Sequence, residues 1–249
     1  MGRLIAIALV VASCLLIWKS GALNSVLGES TSSASKHDPG VSLQAAADAM
    51  RKLKSVHFTL NGTLLYSDVG EVKLTGTGDL LYPHKENFSL QLQYPSGSGS
   101  GFLAVNLRIE GGHQYVQVPS QSLTWKDVTG NTKNEVAPGM DPINNLEFVH
   151  AIRASDNMGD ITMDNIEVNH FSLSVDPGRY IDRLRSNPSS GLTPTDEAAL
   201  ANAGIQVEAW ISPADHYIHQ MKIDMTALQF TWSLTFHYSK FETGVPGSA

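Results

Sequence analysis

The chain has one cysteine, Cys14, among its 249 residues, and it has little charge. A single thiol excludes an intrachain disulfide framework and any multi-thiolate metal or redox site. Only 16% of the residues are charged, against about 25% in ordinary soluble domains. The formal net charge is -7 and no run of Lys or Arg occurs, which argues against a nucleic-acid-binding protein that works by neutralising phosphates.

The sequence also lacks the common catalytic and cofactor motifs. It contains no G-x-S-x-G elbow, P-loop, dinucleotide fingerprint, H-E-x-x-H or EF-hand loop. Its nine histidines are scattered, and His216 and His219, three apart on a predicted strand, would lie on opposite faces of that strand. We therefore expect no enzyme, no cofactor and no metal site. A secreted hydrolase with two carboxylates brought together from different strands is the least favoured alternative.

The N-terminal segment reads as an export signal. Arg3 precedes an apolar run from Leu4 to Trp18, which as a helix would reach about 22 Å, short of the roughly 30 Å of a bilayer core. Val11-Ala12-Ser13-Cys14 resembles the lipobox of bacterial lipoproteins, which predicts lipidation at Cys14, although the residues after it stay apolar. Two alternatives to lipidation remain open, namely cleavage after Ala22 and an uncleaved anchor. Each of the three possibilities exports the rest of the chain.

Three regions follow from this pattern. Residues 1–22 form the signal peptide or the lipoprotein signal or anchor. Residues 23–41 are Ser-rich and aperiodic, and they predict a flexible tether. Residues 42–249 contain every periodic segment, and they predict a single folded domain.

The folded region begins with a predicted amphipathic helix and continues mainly as strands. Apolar residues recur at helical spacing from Ser42 to Lys54, and the period then changes to two. Strands are predicted at 56–64, 72–82, 88–94, 103–109, 115–118, 161–168, 170–175, 205–211, 216–225 and 228–238. Proline after a capping residue at Asp141, Asp176 and Thr193 predicts three further helices, the first extending to about residue 153.

These elements predict an α+β fold. The apolar face of a sheet with this many antiparallel strands must be shielded from water, and only a few short helices are available to pack against it. A curved antiparallel sheet, a half-barrel with short helices packed on its concave face, meets this need. Incomplete filling between the sheet and the helices would leave an apolar cavity.

In order and spacing the segments resemble the LppX/LprG/LprA group of bacterial lipoproteins and, more distantly, the LolA-like fold. The resemblance covers about residues 42–246. The stretches that carry it are LKSVHFTLNGTL, GTGDLLYP, YVQVPSQSLTWKDV, DPINNLEFVHAI, HFSLSVDPGRYIDRL, IQVEAWISPADHYIHQMKID and FTWSLTFHYSKFETGVP.

The resemblance implies a half-barrel that binds acylated lipid or lipoglycan in an apolar cavity and carries it within the cell envelope without catalysing a reaction. It also implies a monomer held at the extracytoplasmic face of the membrane by its N-terminal lipid or anchor, or alternatively secreted, with an unidentified envelope transport partner and no nucleic acid. The alternative from another class is an envelope sensor or scaffold that uses the same half-barrel, with a filled core, to bind a protein.

The apolar phase of the predicted strands gives the candidate lining of the lipid cavity. Large side chains in this set could also fill the hollow, which would favour the scaffold. The predicted lining residues are Phe58, Leu60, Leu74, Leu90, Leu92, Val105, Leu107, Val207, Met221, Ile223, Phe230, Trp232 and Leu234.

Overall fold

The computed structural model describes residues 39–50, 52–66, 70–81, 85–93, 101–110, 113–127, 144–186, 194–227 and 230–244. Cys14, the predicted signal and most of the predicted tether lie outside these residues. The helices in this part of the chain are α1 (Pro39–Met50), a 3-10 helix (Asn144–Ala151), α2 (Pro177–Ser186) and α3 (Pro194–Ala201).

The strands all belong to one sheet. The first six run from the end of α1 to the middle of the chain, and the last five alternate with the remaining helices or follow them. Their bounds are β1 (Leu53–Tyr66), β2 (Gly70–Leu81), β3 (Lys85–Gln93), β4 (Phe102–Glu110), β5 (His113–Gln117), β6 (Lys126–Asp127), β7 (Ile152–Met163), β8 (Ile166–Val175), β9 (Gly204–Ile211), β10 (Ile218–Thr226) and β11 (Phe230–Thr243).

The sheet consists of two antiparallel meanders joined side by side. Its strand order is β6-β5-β4-β3-β2-β1-β11-β10-β9-β8-β7. Every pairing therefore joins strands that follow one another in sequence, except the pairing of β1 with β11. That junction is long, and its register runs from Leu53 opposite Thr243 to Tyr66 opposite Phe230. Because β6 and β7 remain edge strands, the sheet is open rather than a closed barrel.

Alternation along each strand divides the sheet into two faces. On β2, Val72, Leu74, Gly78 and Leu80 are buried, while the polar residues between them are exposed. Successive side chains of a strand point to opposite sides, so one face, which we call the inner face, collects the apolar side chains. The other, the outer face, collects Thr, Ser, Asn, Gln and most of the charged groups.

Helix α1 covers part of the inner face. Leu43, Ala46, Ala47 and Met50 are each 1% exposed or less, and this spacing places them on one side of the helix. The helix contacts β7, β9 and the 3-10 helix. The buried stripe of α1 and the inner face of the sheet belong to a single hydrophobic cluster, which is the core of the domain.

Helices α2 and α3 are held together at their surface. Asp176 caps α2 by accepting a hydrogen bond from the Arg179 N–H at 2.9 Å, as the Asp-Pro pair predicts. Arg185 then pairs with Glu197 of α3 through two hydrogen bonds of 2.7 and 2.9 Å. These bonds raise the pKa of Arg185 and lower that of Glu197.

The predicted α+β half-barrel class is confirmed, and some boundaries differ. Helix α1 ends at Met50 rather than Lys54, because the strand begins at Leu53. The helix predicted from Asp141 is, in its described part, a 3-10 helix. The predicted strands 161–168 and 170–175 are instead one hairpin whose turn is Asp164-Asn165. Both turn residues have positive φ, 51° and 64°, a conformation that Asp and Asn tolerate better than most residues.

Candidate lipid-binding interior

The predicted lining residues lie together on the inner face. All of them except Phe230 are 4% exposed or less and belong to the one hydrophobic cluster. Phe230 begins β11, and its side chain lies outside the described part of the structure. Their burial fits both a packed core and the wall of a hollow, so their role in lining a cavity stays a prediction.

Strand register explains how residues distant in sequence meet. Leu60 of β1 lies opposite Phe236 of β11, and Phe236 lies opposite Met221 of β10. On the other side of β1, the row continues through Gly76 of β2 to Leu90 of β3. The inner face is therefore a continuous apolar surface across both meanders.

Further side chains share this interior, although they are not among the predicted lining residues. Phe236 and Tyr238 continue the alternating phase of β11, which was the signal that could have identified them. Buried residues on the helices and on β8 also share it, namely Leu43, Met50, Phe148, Phe171, Leu173 and Tyr180. The helical stripe of α1 and the alternation of β8 mark several of them as buried, but their place in this interior depends on non-local contacts.

Glycines interrupt the inner face where it is most crowded. Gly78 lies opposite both Phe58 and Phe88, whose ring centroids are 5.3 Å apart. A Cβ atom at Gly78 would come within 2.5 Å of Phe88 Cδ1 and 2.7 Å of Phe58 Cε1. Gly76 is similarly close to Leu90, with its Cδ2 at 2.6 Å. Neighbouring side chains therefore occupy the space over these glycines, and the interior is packed at this point.

Helix α1 presents smaller side chains to the sheet. Ala46 and Ala47 occupy the middle of its buried stripe, between Leu43 and Met50. Alanine extends only a methyl group from the helix, so this part of the interior depends less on large side chains than the region around Phe58. The space beneath α1 is thus the place where a packed and a hollow interior would differ most.

The interior is suited to apolar groups rather than to acid–base chemistry. Within the described ranges, the buried polar side chains are Asn169, Ser212 and His219, and no Asp, Glu, Lys or Arg is buried. Asn169 donates a hydrogen bond to Asp160 at 2.6 Å. His219 lies 3.3 Å from Asp215 and contacts the edge of Phe241. A ligand held in this interior would be bound by burial of its hydrocarbon.

The outer face of β8–β10 carries a charged network. His170 Nε2 lies 2.8 Å from Glu208, and Lys222 pairs with Glu208 at 3.5 Å and with Asp224 at 2.7 Å. The hydrogen bond that Lys222 donates to Asp224 raises the pKa of Lys222. Trp210 of β9 lies opposite His170 and stacks on it with ring centroids 4.4 Å apart. Trp210 is buried, and it packs against this network.

No group of three or more His, Cys, Asp or Glu side chains in the described part of the chain could hold a metal ion. None of the described helices has both the length and the apolar character needed to cross a bilayer.

The fold is similar to that of several solved bacterial proteins. LprF from Mycobacterium bovis is 15% identical over 84% of this chain and 95% of its own, with a TM-score of 0.50. LppX, a lipoprotein from Mycobacterium tuberculosis, is 14% identical over 84% of this chain and 97% of its own, with a TM-score of 0.47. A LolA superfamily protein from Nitrosomonas europaea is 10% identical over 83% and 94%, with a TM-score of 0.32.

The likeness to LprF is a likeness of fold, and it confirms the fold resemblance inferred from the sequence. No protein-family model matches the chain. No curated protein matches it in sequence either.

Proposed function

We propose that this chain is an exported, membrane-tethered lipoprotein that binds acylated lipid or lipoglycan in its apolar interior and carries it within the cell envelope. The observation that carries the proposal is the inner face, which is a continuous apolar surface without a buried charged side chain in the described residues. The fold shared with LprF is consistent with it.

The energetics of the interior suit such a ligand. Burying hydrocarbon contributes about 0.8 kcal/mol per methylene group, so two acyl chains can be held without any polar contact. The aliphatic and aromatic side chains of the inner face, including Leu60, Met221 and Ile223, provide this environment. Carriage also requires no reacting group, which is why we propose a carrier and not an enzyme.

The tether supports a role at a membrane. We propose that Cys14 is lipidated and that residues 23–38, which precede α1, link the anchor to the domain. A flexible spacer of about 16 residues spans roughly 20–25 Å, which allows the domain to stand off the bilayer and reorient. Cleavage after Ala22 would instead give a secreted carrier with the same interior.

Native mass spectrometry of the protein purified from a bacterial host tests the carrier directly. The spectrum is recorded before and after extraction with organic solvent. We expect a co-purifying acylated lipid of discrete mass that extraction removes. A lipid-free mass that persists after incubation with mixed envelope lipids would contradict the carrier.

A second candidate is an envelope sensor or scaffold that binds a protein and has a filled core. The packing around Gly76 and Gly78 favours it, because side chains already occupy the space over both glycines. Such a protein would release no lipid on extraction and would retain a protein partner instead. The same spectrum therefore separates the two candidates.

Substitution of Cys14 tests the anchor. For Cys14→Ser we expect an intact mass without the acyl modification and a severalfold rise in the fraction found outside the membrane, because stable anchoring needs the attached acyl chains. Ser13→Ala is the matched control, since it keeps a small residue before the cysteine. An unchanged mass and membrane fraction in Cys14→Ser would show that Cys14 is not lipidated.

A further inference from the structure

Helices cover one end of the proposed interior. The 3-10 helix leads into β7, β8 leads into α2, and α3 leads into β9, all at the end where Ile152 lies opposite Val175 and Val175 lies opposite Ile205. The Asp176 N–H donates to the Ala151 carbonyl at 2.7 Å, which joins α2 to the 3-10 helix. We call this the helical end. The large buried side chains that its helices contribute are apolar or aromatic, and they are Phe148, Tyr180, Ile181 and Leu200.

The opposite end of the same strands carries polar groups. Asp160, Asn169, Ile211 and Ile218 form one row of register partners across β7–β10. Register partners lie on the same face of a sheet. Because Ile211 and Ile218 belong to the hydrophobic cluster, the whole row lies on the inner face. We call this row, together with residues 212–219, the polar end.

The three buried polar side chains of the described residues all lie at the polar end. Asn169 is a member of the row, Ser212 follows Ile211 directly, and His219 follows Ile218 directly. A register shift at this point of β10 allows two consecutive residues to be buried, as bulges do. The other buried side chains in the described ranges are apolar or aromatic, so the interior is polar at one end and apolar at the other.

Exposed carboxylates connect these buried groups to solvent. Asn169 Nδ2 donates to Asp160 Oδ1 at 2.6 Å, and His219 Nε2 lies 3.3 Å from Asp215 Oδ2. Asp160 and Asp215 are exposed, whereas Asn169 and His219 are more than nine-tenths buried or close to it. An amide has a second N–H and an acceptor oxygen, and a carboxylate has several acceptor sites. The polar end can therefore both donate hydrogen bonds to a ligand and accept them from it.

The charges of the polar end disfavour an anionic ligand. A phosphate here would lie beside Asp160 and Asp215, and like charges repel one another. Lys54 and Lys240 are exposed residues of β1 and β11, strands that lie on the other side of β10 from β7 and β8. A hydroxyl group, by contrast, can donate to a carboxylate and accept from an amide, and hydrogen bonds to a charged acceptor are the stronger ones.

We infer that the polar end holds the headgroup of the bound lipid, that this headgroup is an uncharged hydroxyl-bearing group, and that the acyl chains run from it toward the helical end. The inference rests on the proposed function, because the acyl chains occupy the proposed interior. A headgroup at the helical end would lose its hydrogen bonds to water among apolar side chains without compensation. At the polar end, Asn169 and His219 replace those bonds.

Competition between two lipids that differ only in the headgroup tests this inference. The full chain, stripped of lipid in a non-ionic detergent, is incubated with equal amounts of dioleoylglycerol and dioleoylphosphatidic acid. Native mass spectrometry then gives the amount of each lipid bound. The acyl chains of the two lipids are identical, so the ratio reports the headgroup. We expect the wild type to hold at least fivefold more dioleoylglycerol than dioleoylphosphatidic acid.

The test variant is Asn169→Leu, which removes the amide and keeps a side chain of similar size. We expect the ratio of the two bound lipids to fall at least fivefold relative to the wild type, while the total lipid stays within twofold because the interior still buries the acyl chains. A general preference for the more apolar lipid would affect both proteins equally and cancels in this comparison.

Asn106→Leu is the matched control. It makes the same substitution on β4, where Asn106 bonds to Ser89 on the outer face, and it should leave the ratio unchanged. If Asn169→Leu does not fold, as judged by circular dichroism, His219→Phe takes its place. A phenyl ring there removes both ring nitrogens and keeps the edge contact with Phe241.

Two results would overturn the inference and leave the carrier standing. One is equal binding of the two lipids by the wild type, or a preference for dioleoylphosphatidic acid. The other is an unchanged ratio in a folded test variant. Binding of neither lipid by the wild type would also overturn the inference, and the spectrum of the unextracted protein then shows whether the carrier itself fails.

Discussion

Substitution of Gly78 with valine is expected to destabilise the domain by about 3 kcal/mol, at the upper end of the range for overpacking a core. A Cβ at this position would lie 2.5 Å from Phe88 Cδ1 and 2.7 Å from the Asn87 carbonyl oxygen. The aromatic ring could turn away, but the backbone oxygen belongs to the β2–β3 pairing and cannot move without breaking it. The added methyl groups of valine would increase the conflict.

Urea unfolding followed by tryptophan fluorescence measures this effect. Gly204→Ala is the matched control, because it adds a Cβ to another strand glycine that has nothing within 4 Å of it. Its free energy of unfolding should stay within about 0.5 kcal/mol of the wild type, as is usual for a surface change. An equally small change for Gly78→Val would contradict the packing described around Phe58 and Phe88.

A double-mutant cycle identifies the atoms responsible. Phe88→Ala removes the ring that lies closest to the new Cβ. If the ring causes the conflict, Gly78→Val should cost less in the Phe88→Ala background than in the wild type, because residues in contact are not additive. Equal costs in both backgrounds would assign the conflict to the Asn87 backbone and the Phe58 ring instead.

Most of the inner face was predictable because burial leaves a period of two in the sequence. On β11 the alternating residues from Trp232 to Tyr238 are all buried, as the pattern indicates. Strands with one solvated face keep this signal clearly. The same alternation identified the first four strands and the side that each buries.

Strand β7 was missed because it does not have this pattern. It lies at the edge of the sheet, and all of its residues from Arg153 to Thr162 are exposed or half-buried. A strand solvated on both faces has no apolar phase to reveal it. A register shift between Asn157 and Gly159 further interrupts the alternation. The predicted helix from Asp141 therefore ran across the beginning of β7, and the turn after β7 was predicted too late in the chain.

The composition of the interior was predictable, but its packing was not. Alternation identifies Phe58 and Leu60 as inward residues, yet it cannot show that Gly78 and Gly76 lie opposite them. That relation depends on the register between β1 and β2. Similarly, the pairing of β1 with β11 joins the two ends of the domain, and no local pattern specifies it. Register decides which side chains fill the space, and hence whether the interior is packed or hollow.

The buried stripe of α1 offers a test of that difference. For Ala46→Phe, the carrier predicts a folded protein whose free energy of unfolding stays within about 1 kcal/mol of the wild type, because a ring that enters a cavity gains buried apolar area. The ring would take the place of the ligand, so the co-purifying lipid should fall at least tenfold. Native mass spectrometry gives the lipid occupancy, and urea unfolding gives the stability.

Ala45→Phe is the control for this substitution. Ala45 is the neighbour of Ala46 and is only partly buried, so a ring there can point away from the core and should leave lipid occupancy unchanged. A filled core gives the opposite result for Ala46→Phe, since inserting a ring among packed side chains costs about 1–3 kcal/mol or more. A large loss of stability together with unchanged lipid occupancy would therefore contradict the carrier. The scaffold would then be the better description, because the space beneath α1 would already be occupied by the protein itself.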